Sequence, residues 1–284
     1  MKIGGTKDIK HFVRRFIQTH KEVFNGKTVI DCPAGSGFSS ELLDSVGAKV
    51  EAYDLFPEFF KYKEITCKKA DLESTLPVDD GYADYVLFQE GIEHLSDQIH
   101  ALREMNRVLK PGGRLLLTTP NYSNLRAKMS YMLNESEQYK LMPPNQIESI
   151  WFSNTNNADK RIYFGHIFLI GIQRLKILAL LSGLRIKKIH HTRVNMTSLL
   201  LLFFLYPAIV LFTYRAYKRA IRKNKDVPVG VKKKIFKDIF LLQINPMILI
   251  DGHLFVEFEK YCELGEVVES ADLFNKHANT DFDT

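Results

Sequence analysis

Cysteine is scarce, with only Cys32, Cys67 and Cys262 among 284 residues. An odd, widely spaced set with no metal-ligand spacing reads as reduced thiols of a cytosolic protein, not as a disulfide framework. The opening MKIGGTKDIKHFVRRF lacks an apolar signal core, so no secretory leader is expected there. Internal repeats and low-complexity tracts are missing too, and the composition is that of a globular chain long enough to bury a full core. Acid is absent where base is dense. Of the 39 Lys and Arg, 14 lie between Arg185 and Lys237, against Asp226 alone. The rest of the chain carries 25 basic and 32 acidic residues, net −7. A uniformly basic nucleic-acid binder does not look like this.

The remainder reads as alternating strands and helices. Ile9, Phe12, Val13, Phe16 and Ile17 recur at helical spacing between Lys7 and Phe24, and Asn25-Gly26 ends that helix. KTVIDC is a strand and SSELLDSVG a helix closed by Gly47. KVEAYD and EITCKKADL supply the second and third strands, ADYVLFQ the fourth, QIHALREMNRVLK a helix and GRLLLTTP the fifth. This alternation indicates a parallel sheet covered on both faces, with ligands bound beyond the carboxyl ends of its strands.

The turn after the first strand carries Gly35 and Gly37, in VIDCPAGSGFSSELL. Two glycines alone also make an ordinary tight turn. A dinucleotide fingerprint needs a third glycine where Ser40 stands, and no Lys-Ser/Thr pair follows to make a phosphate loop. Acids end three successive strands: Asp31, Asp54 (17 residues after Gly37) and Asp71, which precedes Leu72. Asp54 can accept both hydroxyls of a ribose, and Asp71 can reach an adenine amino group. Each could instead only cap a turn. Together they suit an adenosine ligand with a cationic centre and no phosphate.

VIDCPAGSGF, VEAYDLFPE, KKADLESTLP, ADYVLFQEGIEHL and MNRVLKPGGRLLLTTPN, over about residues 25 to 122, resemble the class I S-adenosylmethionine-dependent methyltransferases in content and order. The resemblance implies a doubly wound, mostly parallel seven-stranded α/β sheet and S-adenosylmethionine as cofactor. It implies that Asp31, Gly35 and Gly37 hold the methionine part, Asp54 the ribose, Asp71 with Leu72 the adenine, and that Gln89 belongs to the same set. The family's first motif glycine is Pro33 here, which removes a backbone donor and fixes the turn.

Methyl transfer from a sulfonium needs alignment above all, and a base only where the acceptor must lose a proton. Glu90, Glu93 and His94 follow the fourth strand. They resemble a pattern of quinone O-methyltransferases that holds a divalent cation. They also read as a helix start with Glu90 facing the sulfonium, and the expectation is no bound metal, with Glu90 and His94 in catalysis. His166, in RIYFGHIFLIG, is the second catalytic candidate; in similar enzymes a histidine here lies over the substrate, and Tyr163 and Phe164 could line the same pocket. His190 and His191 are adjacent on a strand and point to opposite faces, a poor metal site.

MTSLLLLFFLYPAIVLFTY, residues 196–214, is uncharged and long enough to span a bilayer. The basic run from Arg215 onward suits a cytoplasmic flank. Topology argues against a single crossing, because LRIKKIHH (184–191) and HLFVEFEKY (253–261) read as the last two strands of one sheet. The division expected is therefore a core over 1–191, an apolar and basic helical insertion over 192–250, and the last strand with a tail over 251–284. The insertion could be a membrane hairpin broken at Pro207, helices lying in the interface, a lid, or a contact between copies. Residues 196–237 suit an anionic lipid surface, since each nearby Lys or Arg adds ~1 kcal/mol. Nucleic acid is not expected, for the basic run lacks interleaved aromatics. The whole reads as a peripheral enzyme of the inner membrane face that methylates a lipid-linked glycan or lipid headgroup. A prenylated quinone or phenol is the alternative acceptor, and a non-catalytic binding protein the alternative class.

Overall fold

The computed structural model describes residues 8–147, 165–223 and 227–262. Helix α1 (Ile9–Thr19) begins at Asp8, whose side chain accepts from the His11 amide, and buries Ile9, Val13 and Ile17 at fourfold spacing. The single helix expected as far as Phe24 is instead split. At His20 both the amide and ring Nδ1 turn to the Phe16 carbonyl, and a separate turn, α2 (Lys21–Phe24), follows.

Strands β1 (Thr28–Asp31), β2 (Lys49–Asp54), β3 (Cys67–Lys69), β4 (Ala83–Gln89), β5 (Leu109–Pro120), β6 (Leu184–His190) and β7 (His253–Lys260) form one sheet in the order β3-β2-β1-β4-β5-β7-β6. The first five run parallel, and β7 lies antiparallel between β5 and β6. Strand order reverses between β1 and β4, so the crevice beyond their carboxyl ends is where this architecture takes a ligand.

Alternating side chains feed two apolar layers. Ile30, Val86, Phe88, Leu115, Leu117 and Phe258 pack against α4 (Gln98–Val108) and α6 (Ile172–Leu181). Val29, Leu87, Leu116 and Phe255 pack on the other face against α1, Phe24, and Leu43 of α3 (Phe38–Ser45). Helix α5 (Leu125–Asn134) leaves the end of β5 with Asn124 as its cap.

Between β6 and β7 lie α7 (Met196–Arg222), α8 (Val229–Ile244) and α9 (Pro246–Ile250). The hairpin broken at Pro207 does not form: α7 runs through the proline for 27 residues. Proline costs one backbone hydrogen bond and a local clash, and here the helix is held by packing on α5, α8 and α9. Phe258 is fully buried in the first apolar layer. Phe258→Ala should lower the unfolding free energy by about 3–5 kcal/mol in denaturant titration; a loss under ~1 kcal/mol would contradict its core role.

Candidate active site

The turn leaving β1 is shaped by its acids. Asp31 is fully buried; its Oδ2 accepts from Ser40 Oγ at 2.7 Å, while Oδ1 has no partner among the described residues. Burial pushes its pKa up to about 7, the Asp54 charge adds to the rise, and the Ser40 bonds offset part of it. Ser40, standing where a dinucleotide site needs glycine, thus serves the carboxylate. Gly35 and Gly37 both take left-handed backbone, at φ +52° and +85°, and a Cβ on Gly37 would lie 2.9 Å from the Phe60 ring. Pro33 packs on the other side of the crevice, where a Cβ on Gly91 would meet its ring at 3.0 Å.

Asp54 ends β2 almost fully buried. Its Oδ2 accepts from the Gly35 amide at 2.7 Å and its Oδ1 from the Phe56 amide at 2.8 Å, so one carboxylate ties the glycine turn to the second strand. Each oxygen keeps a further lone pair for a ligand hydroxyl. Gln89 ends β4 and donates to Ser39 Oγ in the first turn of α3. Asp71 follows β3, where its Oδ1 accepts from the Glu73 amide at 2.9 Å, and Leu72 beside it is buried. The turn-capping reading thus describes Asp71 as it stands. The orphaned Asp31 oxygen, the open side of Gly35 and the paired acceptors of Asp54 suit an adenosine cofactor with a cationic amino-acid end.

A second cluster faces the crevice from the end of β4. Glu90 adopts φ +46°, a left-handed geometry rare outside glycine. Its amide donates to the Thr118 carbonyl at 3.0 Å, its Oε2 lies 3.4 Å from His253 Nε2, and its Oε1 is buried without a partner among the described residues. Glu93 is 1% exposed and receives Thr119 Oγ1 on Oε2 at 2.9 Å, leaving Oε1 unpartnered among the described residues. Burial first, and then the Glu90 charge, raise its pKa to about 7. The His94 ring stands 5.1 Å from that of His166. His166 Nδ1 lies 3.2 Å from Glu137 Oε1, and this bond raises the histidine's pKa.

Ligand atoms of Glu93, His94 and His166 all lie within 4.8 Å of one another, so these three could hold a metal ion. The set differs from the sequence pattern by exchanging Glu90 for His166. His190 and His191 do diverge, to Glu257 at 3.1 Å and to Asp251 at 2.9 Å. Tyr163 and Phe164 lie outside the described residues.

Sequence reading missed His253, Thr119 and Glu137. Antiparallel pairing sets His253 opposite Pro120, at the active-site end of the sheet. That position depends on register, whereas Glu137 sits in a loop after α5 with no local signal.

Asp54→Ala should weaken S-adenosylmethionine binding about 10- to 100-fold by calorimetric titration, the cost of losing bonds to a charged acceptor; unchanged affinity would contradict the ribose assignment. Asp31 holds its proton more tightly folded than unfolded, since its pKa rises from 3.8 to about 7. The folded protein therefore loses stability as pH rises across that interval. Asp31→Asn should flatten this loss, raising the melting temperature at pH 8 relative to wild type while abolishing cofactor binding. Equal pH slopes in both proteins would contradict the burial argument.

Residues 30–117 match the methyltransferase domain family. A ubiquinone biosynthesis O-methyltransferase of Xanthomonas oryzae pv. oryzae is 36% identical over 109 residues, covering 34% of this chain and 44% of that protein. A probable S-adenosylmethionine-dependent methyltransferase of Mycolicibacterium smegmatis is 31% identical over 126 residues, covering 42% of this chain and 49% of that one. The chain spans about half the length of the curated relatives it matches. Among solved structures, an S-adenosylmethionine-dependent methyltransferase from Mesorhizobium loti has a TM-score of 0.52 at 13% identity, over 89% of this chain and 98% of that one. This last likeness shows the fold alone. The motif series and the strand order agree with the match of residues 30–117 to the methyltransferase domain family.

Proposed function

We propose that the protein transfers the methyl group of S-adenosylmethionine to a membrane-resident acceptor, a lipid-linked glycan or a lipid headgroup, while docked on the inner face of a membrane. The observation that carries the membrane part is the outward face of α7. Leu199, Leu200, Phe203, Phe204, Leu211 and Phe212 recur at helical spacing and all face solvent, Phe203 being 79% exposed and Phe204 67%. Their stripe is about 20 Å long at 1.5 Å per residue. The same face continues as Arg215, Lys218, Arg219 and Arg222, all exposed. An apolar stripe ending in base suits insertion beneath anionic headgroups, where each fully buried Leu or Phe contributes about 1.5–3 kcal/mol. Among the described residues α7 is the one helix long and apolar enough to cross a membrane by length and composition. Yet the chain leaves β6 and returns to β7 in the same sheet, which favours in-plane docking over a single crossing.

The cofactor supplies an already activated methyl group, so the protein's part is positional. Asp31 and Asp54 orient the cofactor's two ends in the crevice. Glu93 Oε1, unpartnered and with its pKa near neutral, is placed to accept a hydroxyl proton from an acceptor. Thr119 holds the other Glu93 oxygen, and Glu137 fixes the His166 ring beside His94.

A prenylated quinone or phenol is the second acceptor reading. It is favoured by the likeness to a ubiquinone biosynthesis O-methyltransferase and by the grouping of Glu93, His94 and His166. Incubating the protein with methyl-labelled S-adenosylmethionine and host membranes separates the cases. Label in a lipid-extractable polar or glycan fraction is the expected result; label in a neutral quinone fraction would support the second reading, and no label would contradict both. The triple change Leu200→Glu, Phe203→Glu and Phe204→Glu should abolish cosedimentation with anionic vesicles and leave the melting temperature near wild type, because these side chains face outward. Undiminished cosedimentation would refute docking through α7.

A further inference from the structure

Glu93 and His94 belong to the helical turn Ile92–His94 that follows β4, and His166 lies in the segment leading into α6. Hydrogen bonds fasten the two pieces together. The Phe168 amide donates to the Glu93 carbonyl at 3.2 Å, and Gln98 Nε2 donates to the carbonyls of Ile92 at 2.9 Å and Phe168 at 2.6 Å. Ligand atoms of Glu93, His94 and His166 are thereby kept within 4.8 Å of one another.

Two of the three side chains are also held from behind. Glu93 is buried, with Oε2 bonded to Thr119 Oγ1 at 2.9 Å and Oε1 open among the described residues. His166 Nδ1 lies 3.2 Å from Oε1 of the largely buried Glu137. With the Nδ1 proton directed at that carboxylate, the Nε2 lone pair is left for a cation, which is how a second carboxylate orients an imidazole ligand. Glu90 lies outside the group, its Oε2 being 3.4 Å from His253 Nε2. A buried carboxylate oxygen with no donor costs stability unless a cation or a proton completes it.

We propose that Glu93, His94 and His166 bind a divalent transition-metal cation, with Glu137 orienting His166 from behind. The inference deepens the methyl-transfer reading and rests on it for what the site serves, while the binding itself does not depend on the acceptor. Two imidazoles and one carboxylate suit Mn²⁺, Co²⁺ or Zn²⁺. Mg²⁺ favours an octahedral shell of oxygens, so exchanging Glu90 for His166 moves the set away from it. Three protein ligands leave positions open, and a cation held there supplies a Lewis acid toward an acceptor oxygen. With the ion bound Glu93 serves as a ligand, and its part as proton acceptor belongs to the ion-free protein. No local spacing ties His166 or Glu137 to Glu93, so the sequence alone favours no bound metal.

The test is calorimetric titration of the untagged, chelator-stripped full chain with the chlorides of Zn²⁺, Mn²⁺ and Mg²⁺. Wild type is compared with His166→Ala, Glu137→Ala and Glu90→Gln. Wild type should bind one Zn²⁺ or Mn²⁺ per chain, more tightly than Mg²⁺. His166→Ala should lose this binding, and Glu137→Ala should weaken it about 10- to 100-fold, the usual cost of removing an orienting partner. Glu90→Gln should keep it. Wild type loaded with Co²⁺ should show visible absorption that His166→Ala shifts or loses, a change that a merely structural histidine would not cause. Absence of one-to-one Zn²⁺ or Mn²⁺ binding would overturn the site, as would tighter binding of Mg²⁺ or unchanged binding and spectra in His166→Ala. Loss in Glu90→Gln with His166→Ala intact would also overturn it, assigning the ion to Glu90, Glu93 and His94. Should His166→Ala fail to fold, His166→Gln and Glu137→Ala decide. S-adenosylmethionine should bind the stripped wild type. Its failure to bind would count against the methyl-transfer reading, whereas failure of the cations alone would sink only this inference.

Discussion

Two buried asparagines at the end of β5 join the cofactor sheet to the inserted helices. Asn121 Nδ2 donates to the carbonyls of Ile248 at 2.7 Å and Asp251 at 2.9 Å, and Asn124 Nδ2 donates to the Asn121 carbonyl at 2.8 Å. Asn124 Oδ1 also receives the Ala127 amide at 2.8 Å, so the residue that caps α5 lies beside Ser198 in the first turn of α7. Buried amides of this kind contribute about 1 kcal/mol per bond when satisfied and cost more when orphaned. Their position has a functional consequence. The strand whose end borders the crevice is also the strand that anchors the inserted helices α7 and α9.

That end also concentrates unfavourable electrostatics. Asp31 and Glu93 are both buried carboxyls with pKa values raised to about 7. Among the described residues, Glu90 holds a left-handed backbone with an unpartnered oxygen, and Arg126 keeps a shielded donor unused. Each costs folding free energy, and such features gather where a ligand supplies the missing partner. A cationic ligand group beside Asp31 would relieve the first of these costs. Apolar layers on both sheet faces, from Val29 and Phe255 to Phe88 and Phe258, supply the stability against which these costs are set.

Much of this was legible before the structure. Apolar runs alternating with helices indicate a parallel sheet, and acids stand at its successive strand ends as expected, because both follow from local rules. Pro33 and Ser40 stand where related fingerprints carry glycine, and their packing against Gly91 and Asp31 explains how each is accommodated. The split at His20 was not legible, since apolar spacing continues across it while the Phe16 carbonyl draws the ring. Nor was the outward face of α7: residues 196–214 are apolar around the whole helix, so only packing on α5, α8 and α9 reveals which side is left over. His253 reaches Glu90, and Arg126 reaches Ser198, through contacts more than 70 residues apart in sequence, which no local spacing encodes.

Equilibrium titration of the wild-type chain with S-adenosylmethionine, beside NAD as a control, tests the central claim most directly. The account predicts saturable one-to-one binding of S-adenosylmethionine and no competition by NAD, because Ser40 and the acids at the strand ends disfavour a pyrophosphate in that crevice. Failure to bind S-adenosylmethionine at millimolar concentration, or displacement of it by NAD, would contradict the account.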